Sequence, residues 1–164
     1  AAHRLGNAAH AIPVLRVEMH KILSPFDASP GSKENLHYAS AIARAANAEL
    51  LVVYVLVLPL VTPLGAPLSP ETEAQLGTVL DEAAAIARQY GVTPRSAVVD
   101  GRAVGPAIVA VAEEENVDAI FMALRHTHVT GETLILGATV RHVLQHAPCP
   151  VFVSHTRPRH GRRP

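Results

Sequence analysis

The sequence has no tryptophan and only three phenylalanines and three tyrosines in 164 residues, which excludes a core built around large aromatic rings. Small aliphatic side chains must do the packing, and 49% of the chain is hydrophobic, mostly Ala, Val and Leu. A single cysteine, Cys149, excludes an internal disulfide and a bridge-stapled secreted fold, and it fits a reducing, cytoplasmic setting. Neither sign of charge is in excess: 14 Lys plus Arg balance 14 Asp plus Glu, so nothing global draws the chain to nucleic acid or an acidic membrane. No long hydrophobic run is present either. The longest, from Leu50 to Pro59, is half the roughly 20 residues that a membrane-spanning helix needs, and no signal-peptide pattern opens the chain. Direct membrane insertion is therefore not expected. The chain begins Ala1-Ala2-His3-Arg4 rather than with Met, which leaves open a piece of a longer protein, such as the cytosolic domain of a transporter.

What is present is a regular alternation. Residues 1–19 lack a sustained period and read as an N-terminal arm or linker, 20–155 as one domain, and 156–164, with Arg157, Arg159, Arg162 and Arg163, as a flexible basic tail. Ile22 to Phe26 is a short apolar strand that ends in the turn formers Asp27-Ala28-Ser29-Pro30-Gly31. Ser32 to Ala46 has helical spacing, with Ser29 or Ser32 available as its cap. Glu49 to Leu58 is a continuous β-branched run of the kind found when both faces of a strand are covered. Pro59 to Pro70 holds four prolines and a glycine and reads as a long loop. Then follow a helix over 71–90, a strand over 95–99, a helix over 104–115, a strand over 118–123, a helix over 137–146 and a strand over 151–154.

Strands separated by helices of about a dozen residues pair in parallel through right-handed crossovers, so the alternation predicts an α/β, doubly wound five-stranded parallel sheet. Ligands of such sheets lie at the carboxyl ends of the strands. That rule singles out the loops after Phe26, Val55 and Ala123.

Three segments carry a family resemblance. Lys21-Ile22-Leu23-Ser24-Pro25-Phe26-Asp27-Ala28-Ser29 resembles the opening of universal stress protein domains. Asp100-Gly101-Arg102-Ala103-Val104-Gly105-Pro106, followed by Asp118-Ala119-Ile120-Phe121-Met122, resembles their third crossover. Gly137-Ala138-Thr139-Val140 and His146-Ala147-Pro148-Cys149-Pro150-Val151 resemble their last helix and strand. The resemblance implies a flavodoxin-like, adenine nucleotide alpha-hydrolase-like sheet with strand order 3-2-1-4-5. It also implies a homodimer through the last strand, Val151-Phe152-Val153, and in some members an adenine nucleotide such as ATP or AMP at the strand ends. Carried onto this chain, the binding set is Pro25, Phe26, Asp27, Val55, Met122, Ala123, Arg125, His126, Gly137, Ala138 and Thr139. Whether Mg²⁺ accompanies the nucleotide is left open.

The chain departs from the nucleotide-binding pattern where phosphates would be held. Such members place two glycines two residues apart after strand four and a Gly-Ser or Gly-Thr at the last helix, because glycine lets backbone N–H groups approach phosphate. Here Ala123 and His126 stand at the two glycines and Ala138 at the hydroxyl, while Gly137 is kept. Arg125, His126 and His128 bring positive charge that can replace backbone donors. Pro25, Asp27 and Val55 match the base and ribose positions, although Asp27 would equally serve to cap the first helix. The alternative reading is a dimerisation module with no ligand.

The remaining motifs read as ordinary structure. His142 and His146 have the i, i+4 spacing of a helical ligand pair, but a structural zinc wants four ligands, and no carboxylate or thiolate is suitably spaced; no metal is expected. Cys149 reads as a small buried hydrophobe, and Glu113-Glu114-Glu115 as a solvated helix end. No nucleophile–base arrangement and no carboxylate pair for a metal-bound water can be placed, so catalysis is not expected, weak ATP hydrolysis aside.

Overall fold

A computed structural model of the chain describes residues 18–124 and 136–155. The strands and helices alternate: β1 (Lys21–Pro25), α1 (Pro30–Ala46), β2 (Glu49–Val57), α2 (Pro70–Arg88), β3 (Arg95–Gly101), α3 (Val104–Glu114), β4 (Ala119–Ala123), α4 (Ala138–His146) and β5 (Val151–Ser154). All pairings are parallel, in the order β3-β2-β1-β4-β5, as the alternation and the resemblance predict. Among the described residues no helix is long and apolar enough to cross a membrane.

Side chains alternate across the sheet and feed two cores. Ile22, Leu50, Val52, Ala119 and Phe121 face one layer, where Leu36, Ala39 and Ala43 of α1 meet Ala83, Ile86 and Ala87 of α2. Leu23, Leu51, Val53, Ile120 and Met122 face the other, against Ile108, Val109 and Ala112 of α3 and Val140 and Val143 of α4. Seven of the branched aliphatics (Ile22, Leu23, Leu36, Leu50, Leu51, Ile108 and Ile120) lose all or nearly all of their exposure. At about 1.5–3 kcal/mol each, they supply the drive that large aromatics give elsewhere. The alanines between α1 and α2 let those helices approach closely, and the seam is fastened outside by Lys33–Glu82 at 2.6 Å and His37–Tyr90 at 3.0 Å.

Three boundaries lie two residues from the sequence reading, each for a local reason, and the other shifts are of one residue. α1 starts at Pro30, not Ser32, because proline suits the first helical position; Ser29 is the cap, its hydroxyl accepting from the Ser32 amide at 3.3 Å. β3 runs on through Asp100 and Gly101, because they pair with Leu56 and Val57 and so extend the strand past Val99. α2 ends at Arg88, and Gln89, Tyr90 and Gly91 follow in three-residue turns closed by i→i+3 bonds, Gly91 having φ +71°.

The amino end of the sheet is closed by charge. Asp118 accepts the His20 and Lys21 amides at 2.6 and 2.8 Å, and these bonds, the His20 one first, hold its carboxyl below the usual range. Arg95 bonds Glu49 at 2.8 Å and grips Glu115 with both terminal nitrogens, while Lys21 reaches Glu115 at 3.1 Å. The Arg95 bond, and then the Lys21 bond, hold Glu115 at about 2. The expected solvated run is therefore only partly so: Glu113 and Glu114 are exposed, but Glu115 turns back and ties α3 to β1 and β3.

Candidate functional site

The carboxyl rim is stepped. β1 ends with Pro25 opposite Val53, whereas β2 continues to Val57 paired with Gly101 of β3. Four further residues at about 3.3 Å each raise a wall some 13 Å high beside the end of β1. β1 and β4 are neighbours whose crossovers leave to opposite layers, α1 to one and α3 and α4 to the other, so the step stands at the topological switch point.

The turn after β1 is fixed by its own backbone. The Phe26 amide bonds the Val53 carbonyl at 2.9 Å, and Asp27 Oδ1 accepts the Ser29 amide at 3.0 Å. Asp27 is exposed and orders the turn ahead of the helix cap, which is Ser29. Ala28 takes φ +59° to complete the bend. Pro25 is half-buried at the strand end, while the Phe26 and Met122 side chains lie in the two cores, so only their backbones face the rim. Val55 is half-buried on the wall, packed with Val99 and Val104 on the α3 side.

The top of the wall is pinned by residues that the sequence reading placed only in a crossover motif. Arg102 donates to the carbonyls of Leu58 (3.2 Å), Pro59 and Thr62 (2.8 Å), and Asp100 accepts the Gly65 amide at 2.8 Å. Together they hold the proline-rich loop against the end of β3. An Asp-Gly-Arg after a strand and a charge-free loop from Pro59 to Ser69 were the available signals, since a charged side chain beside unpaired loop carbonyls tends to bond them.

At the end of β4, Ala123 points toward α1, where the Cβ that Gly31 lacks would lie 3.4 Å from that of Ala123. Below it, Asn35 of α1, 1% exposed, donates to the Phe121 carbonyl at 2.8 Å, lies 3.4 Å from Ser24 Oγ, and accepts the Ser154 hydroxyl at 2.9 Å. One buried amide thus links α1, β1, β4 and β5. Gly31, Asn35 and Ser154 were not singled out from sequence, since an Asn inside a helix pattern carries no signal until its strand neighbours are known.

Gly137 caps α4, Ala138 is exposed and Thr139 half-buried in its first turn, and no acidic residue occupies the first turn of α1 or of α4. Helices that run back from the rim turn their free N–H groups and positive dipole ends toward it. The arrangement brings Pro25, Asp27, Val55, Ala123 and the start of α4 to the same end of the sheet. Arg125 and His126 lie outside the described residues, as do the arm and the basic tail. Cys149 is half-buried against the second core, and burial, with the Asp118 charge, pushes its thiol up.

Comparison with known proteins agrees with this architecture. The curated universal stress protein MJ0531 of Methanocaldococcus jannaschii is 31% identical over 139 residues, covering 81% of this chain and 80% of that protein. Among solved structures, a universal stress protein in complex with cAMP has a TM-score of 0.69 at 21% identity, covering 86% of this chain and 100% of its own. One from Archaeoglobus fulgidus in complex with dAMP has a TM-score of 0.64 at 23% identity, with 82% and 96% covered. The model of the Universal stress protein family matches residues 18–155, from the residue before Met19 through the whole sheet to the end of β5, and the chain belongs to that family.

Proposed function

We propose that this chain is a regulatory domain that binds an adenine nucleotide at the stepped rim and acts as a homodimer through β5. The observation that carries the reading is the step itself: the fixed Pro25–Ser29 turn below, the Val55 wall beside it, and two helix N-termini free of acidic residues. An apolar wall suits a purine, an exposed carboxylate in the turn suits ribose hydroxyls, and free N–H groups suit a phosphate. The complexes of similar structures with cAMP and dAMP favour a monophosphate over ATP. Titration calorimetry of the whole chain with AMP, cAMP, dAMP and ATP, each with and without Mg²⁺, tests this. Saturable binding strongest for a monophosphate is expected, and flat traces at millimolar ligand refute it. Binding without turnover is expected, so phosphate release from ATP should not exceed that of buffer.

The dimer reading rests on the sheet edge. β5 is an outer strand with one side unpaired, and Phe152 and Val153 are 43% and 36% exposed. Phe152 stacks on Phe121 at 4.6 Å, on the α1 side of the sheet. Tyr38 and Ile42 of α1, three and seven residues beyond the Asn35 that bonds Ser154, lie toward the same edge and are 51% and 41% exposed. A second copy related by a twofold axis would pair the edge and cover these rings.

A further inference from the structure

We propose that the outer face of α4 carries an open two-imidazole site for a divalent transition cation, independent of the nucleotide rim. His142 and His146 are one helical turn apart, with ring centroids 4.2 Å from each other and planes at 22°. His146 Nδ1 is 2.9 Å from the His142 carbonyl oxygen. A carbonyl only accepts, so in the stacked pair the proton is on Nδ1 and the Nε2 lone pair is open.

His142 is held from the other side. A Cβ on Gly105 of α3 would lie 2.9 Å from the His142 Cβ and 3.1 and 3.2 Å from its ring atoms Cγ and Cδ2, so the absence of a side chain at Gly105 is what lets the ring lie flat against α3. The half-buried ring is thereby restricted, while the exposed His146 ring has to leave the stack, and with it the carbonyl bond, to bring its Nε2 to a shared ion at about 2.0–2.1 Å. One imidazole is preset and the other adapts.

Among the described residues no group of three or more His, Cys, Asp or Glu is placed to hold a metal. The sequence reading expected no metal at these histidines, because a structural zinc wants four ligands; the proposed site is of a different kind, with two. Its remaining coordination positions belong to water or to a group supplied from outside. Two neutral imidazoles and open positions suit Cu²⁺, Ni²⁺ or Zn²⁺ rather than Mg²⁺ or Ca²⁺, which prefer oxygen.

The test is titration calorimetry of the full chain with NiCl₂, with MgCl₂ as the oxygen-seeking control, on the parent protein, His142→Asn and His146→Asn. The thermal midpoint is read with and without Ni²⁺. The chain has ten histidines, so the readout is a difference: each single variant should lose one and the same equivalent of Ni²⁺ that the parent binds. The Ni²⁺-induced rise in midpoint should shrink in both variants, because the helical pair exists only in the folded chain. Equal Ni²⁺ binding in the parent and both variants, loss in only one of them, or Mg²⁺ binding at the same equivalent would each overturn the proposal.

Discussion

Replacing Asn35 by alanine should loosen the edge of the sheet at a cost that can be worked from its partners. The side chain is 1% exposed; its amide nitrogen serves the Phe121 carbonyl and approaches Ser24 Oγ, and its oxygen takes the Ser154 hydroxyl. Ser24 is fully buried, whereas Ser154 is half-buried and can turn to water. Two groups, the Phe121 carbonyl and the Ser24 hydroxyl, are then deprived of a buried partner, at about 1–3 kcal/mol each. Taking the middle of that range for both, about 3–5 kcal/mol, and subtracting about 1 kcal/mol of side-chain entropy regained gives a loss of about 2–4 kcal/mol. At about 3 °C per kcal/mol for a domain of this size, the midpoint should fall by about 6–12 °C. The urea midpoint should drop by about 1–2 M with the slope unchanged. Asn35→Leu, which fills the space but satisfies nothing, should lose a similar amount. A double-mutant cycle with Ser154→Ala should return a coupling of about 1 kcal/mol. If Asn35→Ala unfolds within about 0.5 kcal/mol of the parent, the ordinary scatter of surface changes, the amide is not what joins α1 to β4 and β5.

Three other outcomes follow from the same geometry. Glu115, held at about 2, and Asp118, held below its ordinary range, each lend stability that is full above pH 4.5 and is lost as the pH falls toward 2; urea midpoints across that window should decline, and Glu115→Gln should flatten the decline. Phe152→Glu, which puts a charge on the exposed sheet edge, should convert a dimer to a folded monomer by light scattering at micromolar concentration, and a parent already monomeric there would remove the edge-pairing reading. Ala123→Gly should cost about 1 kcal/mol from the lost methyl contact and the looser strand, yet change AMP affinity by less than about twofold, because that methyl faces Gly31 rather than a ligand; a large gain in affinity would show the methyl to be an obstruction.

The parallel order was legible because a βαβ crossover leaves few choices: once Glu49 to Leu58 reads as a strand covered on both faces, the helices on either side must pack on it. Turn chemistry was legible in part at the head of α1: Ser29 was one of two caps offered, but Pro30, counted among the turn formers, is the first helical residue. It misled elsewhere: the strand read as ending at Val99 runs on through Asp100 and Gly101, and the third glutamate of a run looks solvated and is an anchor. Contacts between side chains far apart in the chain left no local trace. Asn35 with Ser154 is separated by 119 residues and Arg102 with the Leu58 carbonyl by 44, and neither period nor composition reports such pairs.

The same alternation that fills the two cores bears on the missing glycines. In β4, Phe121 faces the α1 layer and Met122 the α3–α4 layer, so Ala123 faces α1 again. Its methyl packs toward Gly31, where an added Cβ would come to 3.4 Å, an ordinary contact distance, so small residues on both elements line the approach of α1 to β4. The next amide, Leu124 N–H, is taken by the Ser154 carbonyl at 2.8 Å and is not offered to a ligand. What the rim retains without the loop after β4 is the Asp27 turn, bonded to its own backbone, and the wall that Asp100 and Arg102 brace. In the proposed function those parts serve a base and a sugar. On the proposed reading, a ligand whose contacts are mostly base and ribose, with one phosphate at a helix N-terminus, meets rigid partners throughout. A second and third phosphate would have to draw on the loop alone, and that is the physical reason to expect AMP-type ligands ahead of ATP.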